Sequence, residues 1–154
     1  MNLFGVMEVS GSALKAERIR AEVVAANMAN AETTNTSEGG PYRRQHVVFS
    51  SAATESNSFG GQLLSQAGLQ SSAIEPQIGG VQVSAVVQDP ATTLRRYDPS
   101  HPDADKDGYV AYPDINPLTE MVDLMGATRA YGLNSSAVQA TKGMINSSLD
   151  ILKS

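Results

Sequence analysis

The sequence predicts an α+β protein with two long terminal helices and a small β-rich region between them. Apolar residues recur at helical spacing near both ends of the chain, whereas short valine-rich stretches alternate with period two in the middle. With three Phe, five Tyr and no Trp, the composition favours long helical seams over a thick globular core. The 154 residues therefore divide into an N-terminal helix at 1–34, a β-rich region at 35–115 and a C-terminal helix at 116–154.

The N-terminal helix is predicted by an apolar seam that repeats every seven residues. Ser10 and Glu17 interrupt this seam, and a single amphipathic helix of this length is marginal in water by itself. We therefore expect it to need a partner. The seam residues at intervals of seven are Met7, Leu14, Ala21 and Met28, with Leu3, Val24 and Ala31 filling the spaces between them.

The C-terminal helix begins with a strong start signal, Asn116 followed by Pro117, because Asn caps a helix and Pro suits the first helical position. A helix from about 117 to 152 would be roughly 50 Å long, which again requires a partner along its length. Its seam steps in threes and fours through Met121, Leu124, Thr128, Tyr131, Ser135, Val138, Lys142, Ile145, Leu149 and Leu152.

Three short strands are predicted in the middle, at 45–49, 80–88 and 109–112. The stretch at 51–77 is rich in Ser, Gln, Ala and Gly, which predicts a flexible insert. In the second strand, alternation places on one face Val81, Val83, Ala85 and Val87.

Composition excludes several classes of function. The formal charge is −5 and no Lys/Arg run is present, so we expect no nucleic-acid partner. The absence of cysteine excludes thiolate metal sites and Cys nucleophiles. No apolar run reaches membrane-spanning length, and the first residues lack the pattern of a cleaved signal peptide.

No group of residues indicates catalysis or a cofactor. His46 and His101 stand apart without metal-ligand spacing, and neither a nucleophile elbow nor a phosphate-binding glycine loop is present. The sequence therefore predicts no enzyme activity, no catalytic residue and no cofactor. The paired arginines at 43–44 and 95–96 are expected in solvated turns, in pairs with acids or at a subunit contact.

One stretch, DADKDGYVAYPD at 103–114, matches the spacing of a calcium loop. Prolines on both sides oppose the flanking helices that such a loop needs, and Asp-rich segments ending in Gly also form turns. A structural turn is the favoured interpretation. The alternative is a calcium-binding interaction module whose candidate ligands are Asp103, Asp105, Asp107 and Asp114.

Asn27 and Asn30 lie three residues apart amid small residues near the end of the first helix. Asn is unfavourable in an exposed helix interior, so these amides are expected to bond to something. One interpretation is capping of the helix end. The other is a pair of interfacial amides that fixes helix register where several subunits meet.

Both ends of the chain resemble the bacterial flagellar axial proteins, through GSALKAERIRAEVVAANMANAET and NPLTEMVDLMGATRAYGLNSSAVQATKGMINSSLDIL. The middle stretches GPYRRQHVVF, GGVQVSAVV and HPDADKDGYVAYPDIN resemble in particular the subunits of the proximal rod. The C-terminal positions typical of the family are Glu120, Met121, Arg129, Tyr131, Asn134, Lys142 and Met144.

This resemblance implies a structural subunit whose terminal helices pair as a coiled coil and polymerise around an export channel, with the β-rich middle outside. It implies export by the flagellar type III apparatus without signal cleavage, and a place in the basal-body rod in the periplasm. The implied partners are copies of the chain, other rod proteins, the MS ring, the hook-basal-body adaptor and the export apparatus. The expected assembly interface comprises Met7, Leu14, Ala21, Val24, Asn27, Met28, Asn30, Met121, Leu124, Tyr131, Val138, Ile145, Leu149 and Leu152.

Overall fold

The computed structural model describes residues 3–52, 79–90 and 92–153. In the sequence, two long helices flank four short strands, which confirms the predicted α+β class. Apart from its first two residues, the predicted insert at 51–77 lies outside the described residues. The elements in chain order are α1 (Leu3–Ala29), β1 (Gln45–Ser51), β2 (Val81–Gln88), β3 (Thr93–Tyr97), β4 (Tyr109–Pro113) and α2 (Pro117–Lys153).

The two helices pack side by side in opposite directions. Asn27 near the end of α1 contacts Glu120 near the start of α2, and Arg20, one to two turns earlier, contacts Asp123. The start signal of α2 is confirmed, because the Asn116 side chain accepts the Leu118 N–H at 3.0 Å. At 37 residues α2 is longer than α1, which has 27.

Small and polar residues line the seam between the helices. Ser10, Ala16, Ala127 and Thr141 are all buried, with exposed fractions of 0 to 6%. Ser10, one of the two polar interruptions of the predicted N-terminal seam, is therefore buried within the chain. Small side chains let the two backbones approach closely, whereas larger ones would hold them apart.

The predicted seam of α2 is only partly correct. Leu124, Val138 and Ile145 are half-buried, as expected of inward positions, but Met121 and Tyr131 are 49% and 44% exposed. The inward face follows small residues instead, so the period of the large apolar residues was a poor guide to it. Within the described residues, no helix combines the length and apolar character needed to cross a membrane.

Strands β1 and β2 form an antiparallel pair that rests on α1. The register skips Ser84, because Val48 pairs with Ala85 and Phe49 pairs with Val83. This bulge breaks the predicted alternation. Val81 and Val83 are half-buried as predicted, but the expectation of one continuous apolar face through Ala85 and Val87 was wrong, since both are exposed.

The start of β2 lies unusually close to α1. A Cβ atom added to Gly80 would lie 2.4 Å from Ser12 Oγ, so only glycine fits without a shift. The Ser12 hydroxyl accepts the Val81 N–H at 3.0 Å and donates to Val9 O at 2.7 Å. This contact anchors the first sheet on the helix.

Strands β3 and β4 form a second antiparallel pair, and β3 was not predicted. Of the three interpretations of Arg95 and Arg96, the one that places them in turns is wrong, since both belong to β3, whereas pairing with an acid describes Arg95, which forms an ion pair with Asp105. Their guanidinium groups lie over the rings of Tyr109 and Tyr112 on β4. The sequence of β3, TLRRY, lacks the alternation of apolar and polar residues from which strands are recognised, and all five residues are exposed.

Candidate functional site

Asn27 is a fully hydrogen-bonded polar side chain that is 0% exposed. Its Nδ2 donates to Gln45 O at 2.7 Å and to Glu120 Oε2 at 3.0 Å. Its Oδ1 accepts the Gln45 N–H at 2.9 Å and the Tyr42 hydroxyl at 3.2 Å. Both donors and both acceptor positions of the amide are therefore used.

The contact with Gln45 fixes the orientation of this amide. The side chain pairs with both the N–H and the C=O of Gln45, as a neighbouring strand would, at the first residue of β1. Rotating the amide by half a turn would set donor against donor and acceptor against acceptor. Asn27 therefore joins α1 to β1 directly and to α2 through Glu120.

Glu120 is the charged member of this site and is 1% exposed. One carboxylate oxygen accepts from Asn27, and the other accepts from Arg44 Nε at 2.7 Å. The hydrogen bond to Glu120 is the main cause that raises the pKa of Arg44 above its ordinary value, so the guanidinium remains charged. A buried carboxylate is thus matched by one cation and one amide donor.

Two carboxylates at the rim extend the charge pairing. The terminal nitrogens of Arg44 lie 3.6 Å from Asp89 and 3.8 Å from Asp123. Asp123 also accepts from Arg20 at 3.4 Å, and His46 Nδ1 lies 2.9 Å from Asp89. We call the buried group the Asn27 cluster, and its members are Asn27, Tyr42, Arg44, Gln45 and Glu120.

Tyr42 completes the cluster from the segment before β1. Burial raises the pKa of the Tyr42 phenol, and the nearby Glu120 carboxylate raises it further. The hydroxyl therefore stays protonated and keeps its hydrogen bond to Asn27. Since no member is an activated nucleophile in an open pocket, the arrangement is suited to holding three elements together.

The two asparagines singled out in the sequence have different environments. Asn30 donates to Ala26 O at 2.9 Å and accepts from the Thr33 hydroxyl at 3.1 Å, which is local bonding at the end of α1. The capping interpretation thus describes Asn30. Asn27 instead bonds to β1 and α2 of its own chain.

Sequence reasoning missed Glu120 as the partner of Asn27. Pairing with an acid was one of the three interpretations of Arg44, but nothing in the local sequence identified which acid. The available signal was spacing: Glu120, Ala127, Asn134 and Thr141 recur every seven residues, a pattern of small and polar residues that apolar periodicity ignores.

The Asp-rich stretch at 103–114 comprises the second half of the connection between β3 and β4 and the whole of β4, with no helix in the connection. Asp105 Oδ1 accepts the N–H of Asp107 at 2.9 Å and that of Tyr109 at 3.0 Å. The Tyr109 hydrogen bond is the largest cause that lowers the pKa of Asp105. Gly108 adopts a φ of +80°, as a turn glycine does.

Two of the four candidate calcium ligands are engaged elsewhere in the chain. Asp103 accepts the Thr34 hydroxyl at 2.7 Å, and Asp105 forms an ion pair with Arg95. These bonds are those of a structural turn. Among residues 3–52, 79–90 and 92–153, no group of three or more His, Asp or Glu side chains is arranged to hold a metal ion.

The second candidate site is an apolar strip of α2 directed away from the seam. We call it the outer helix face, and its residues are 50 to 70% exposed. Nearby, Cβ atoms added to Gly126, Gly132 and Gly143 would meet no described residue within 4 Å, so no contact in the described part of the chain requires these glycines. The outer helix face comprises Leu118, Val122, Met125, Leu133 and Met144.

The residues predicted for an assembly interface occupy three kinds of position. Val24 and Asn27 are buried within the chain. Four are exposed on α2: Met121, Tyr131, Leu149 and Leu152. The remainder are half-buried: Met7, Leu14, Ala21, Met28, Asn30, Leu124, Val138 and Ile145.

Comparisons with known proteins match both helices and nearly the whole chain. Residues 7–35 match the flagella basal body rod protein family, and residues 106–151 match the family of the flagellar basal body rod FlgEFG protein C-terminal. The chain is 41% identical to flagellar basal-body rod protein FlgC of Bacillus subtilis over 157 residues, covering 99% of this chain and 100% of the relative. It is 37% identical to the protein of that name in Borreliella burgdorferi, with 99% of each covered. Identity to the Salmonella typhimurium protein is 32%, with 98% of each covered.

Proposed function

The chain belongs to the family of flagellar basal-body rod protein FlgC, and on that basis we propose that it polymerises through its terminal helices into the proximal rod. Membership makes it a structural component of the rod rather than an enzyme, and a partner of other rod proteins in the basal body. Polymerisation through the terminal helices is the way in which we propose that the subunits assemble.

We propose that the rod built from these subunits acts as a drive shaft and encloses an export channel. Its terminal helices supercoil against one another and against those of neighbouring subunits. The type III apparatus delivers the chain, which joins the MS ring, the hook-basal-body adaptor and further rod subunits in the periplasm. The two sheets lie on the outside.

The outer helix face is the observation that supports this proposal. A series of exposed apolar residues along one side of a long helix is typical of a surface that another protein covers. Helices that contact neighbours head to tail build an open filament when the rotation does not close. Glycines on this helix that no contact among the described residues requires would let a neighbouring backbone approach closely.

The buried and exposed members of the predicted interface then have separate roles. Met121, Tyr131, Leu149 and Leu152 are positioned to contact neighbours, together with the outer helix face. The buried Val24 and Asn27 support the helix pair from inside. A charge at Val24 would therefore disturb the chain itself, so assembly has to be tested at an exposed position.

Replacing Val122 with Asp is expected to abolish rod assembly and swimming. Val122 is 62% exposed, so the free energy of unfolding of the isolated chain should change by no more than about 0.5 kcal/mol. Desolvating the new carboxylate between subunits would cost far more. The measurement is swimming and recovery of basal bodies from a strain in which the variant replaces the native chain.

The matched control is Val86→Asp, the same change at a 46% exposed position on β2. This variant is expected to swim, because the proposed contacts lie on the helices. Normal swimming by the Val122→Asp strain would contradict the proposal. Equal loss of swimming in both strains would contradict the claim that the assembly contacts are confined to the helices.

A further inference from the structure

The seam between α1 and α2 contains little that would hold the helices at one position along their length. Buried small residues recur on both sides, among them Ser10 and Ala16 on α1 and Ala127 and Thr141 on α2. On α2 the inward positions repeat every seven residues, so a slide of one repeat would present a similar surface. Packing of small residues alone therefore discriminates weakly between registers.

Apart from the partly exposed Arg20–Asp123 ion pair, which contributes little to stability, the other polar side chains described in this seam bond within their own helix. The Thr141 hydroxyl donates to Ala137 O at 2.9 Å, and the Asn134 amide donates to Ala130 O at 2.9 Å. These bonds would survive a slide of one helix along the other. They carry no information about register.

Asn27 and Glu120 differ because their hydrogen bond crosses the seam and is buried. A slide of seven residues in one direction would set Ala127 opposite Asn27 in place of Glu120. The amide would then lose an acceptor, and the Glu120 carboxylate would lose the Asn27 donor and move away from Arg44, which directly precedes β1. Buried polar groups without partners are strongly disfavoured, so such a slide is opposed by this pair.

We propose that the Asn27 cluster is a register lock that selects one axial alignment of α1 and α2 within a single chain. The lock also includes β1, because Asn27 holds both backbone groups of Gln45. It thereby fixes where the outer helix face lies relative to the first sheet. This last consequence rests on the proposed function, whereas the register itself is a property of the isolated chain.

The test measures the distance between spin labels on the two helices by pulsed electron paramagnetic resonance. The chain has no cysteine, so labels can be placed at the exposed positions Glu22 and Asn146 after substitution to Cys. A slide of seven residues changes the axial separation by about 10 Å. The labelled chain that keeps Asn27 and Glu120 should give one narrow distribution of distances between the two labels.

Replacing Asn27 and Glu120 together with Leu removes the polar requirement and keeps side-chain bulk. We expect a second population displaced by about 10 Å, or a distribution broadened over that range. The matched control is Thr141→Val, a buried polar change in the same seam, which should leave the distribution narrow. A second control is Thr34→Val, which removes the hydrogen bond to Asp103 and should also leave it narrow.

A narrow and unshifted distribution in the double variant would overturn the proposal. Broadening of the same size in the Thr141→Val chain would also overturn the proposal, since any buried change in the seam would then broaden the distribution.

If circular dichroism shows that the double variant is unfolded, the Glu120→Gln variant replaces it. Glutamine keeps the shape of the side chain but sets an amide N–H against Asn27 or Arg44. Broadening is again the supporting result, and an unchanged distribution again overturns the lock.

Discussion

Replacing Asn27 with Asp should lower the free energy of unfolding by about 3–5 kcal/mol, although the two side chains have almost the same shape. The new oxygen would replace the Nδ2 donor and face Gln45 O and Glu120 Oε2, both acceptors. It would also place a second negative charge beside a buried carboxylate. Such a loss is a large part of the stability of an ordinary domain.

The measurement is urea unfolding of the purified chain at neutral pH, followed by far-ultraviolet circular dichroism. Asn134→Asp is the matched control, because it makes the same chemical change where the amide bonds only to its own helix. We expect that control to lose about 1 kcal/mol, the value of an ordinary hydrogen bond. Equal losses in the two variants would contradict the role assigned to Asn27.

Replacing Arg44 with Met should lower the free energy of unfolding by about 2–3 kcal/mol, less than for a fully buried pair because Arg44 is partly exposed. Methionine keeps the unbranched apolar part of the side chain but removes the cation that bonds Glu120 at 2.7 Å. Glu120 would then be a buried carboxylate with Asn27 as its remaining hydrogen-bond donor in the cluster. The cost is that of leaving the charge unpaired.

The neighbouring residue provides the control for this change. Arg43→Met removes the same charge one position earlier, where the side chain is exposed, and should change stability by less than about 0.5 kcal/mol. Combining Arg44→Met with Glu120→Met should recover part of the loss, since no charge then remains buried. A double variant less stable than the sum of both single changes would contradict this account of the pair.

The helices were predictable because their signals are local. Asn116 and Pro117 mark the start of α2 in the sequence, and the structure begins the helix at Pro117. The valine-rich alternation likewise located β1 and β2. In contrast, β3 owes its conformation to pairing with β4 and to arginines lying over Tyr109 and Tyr112, which no local pattern reveals.

The candidate site was predictable only in part, because its partners are distant in the chain. The unusual position of Asn27 showed that its amide must be used, and the structure supplies the partner 93 residues away. Apolar periodicity predicted a seam on α2 that includes Met121 and Tyr131, yet both are exposed within the chain. Small residues such as Ala127 are buried instead, and Val122 and Met125 are exposed and available for contacts outside the chain.

The central claim is that neighbouring subunits cover the outer helix face in the assembled rod, and cysteine protection tests it most directly. Since the native chain has no cysteine, Val122→Cys gives one reactive site. Its reaction rate with a water-soluble maleimide would be measured in the isolated chain and in purified basal bodies, with denatured basal bodies giving full labelling. We predict rapid labelling of the isolated chain and strong protection in intact basal bodies. Equal rates in the isolated chain and intact basal bodies would contradict assembly through this face.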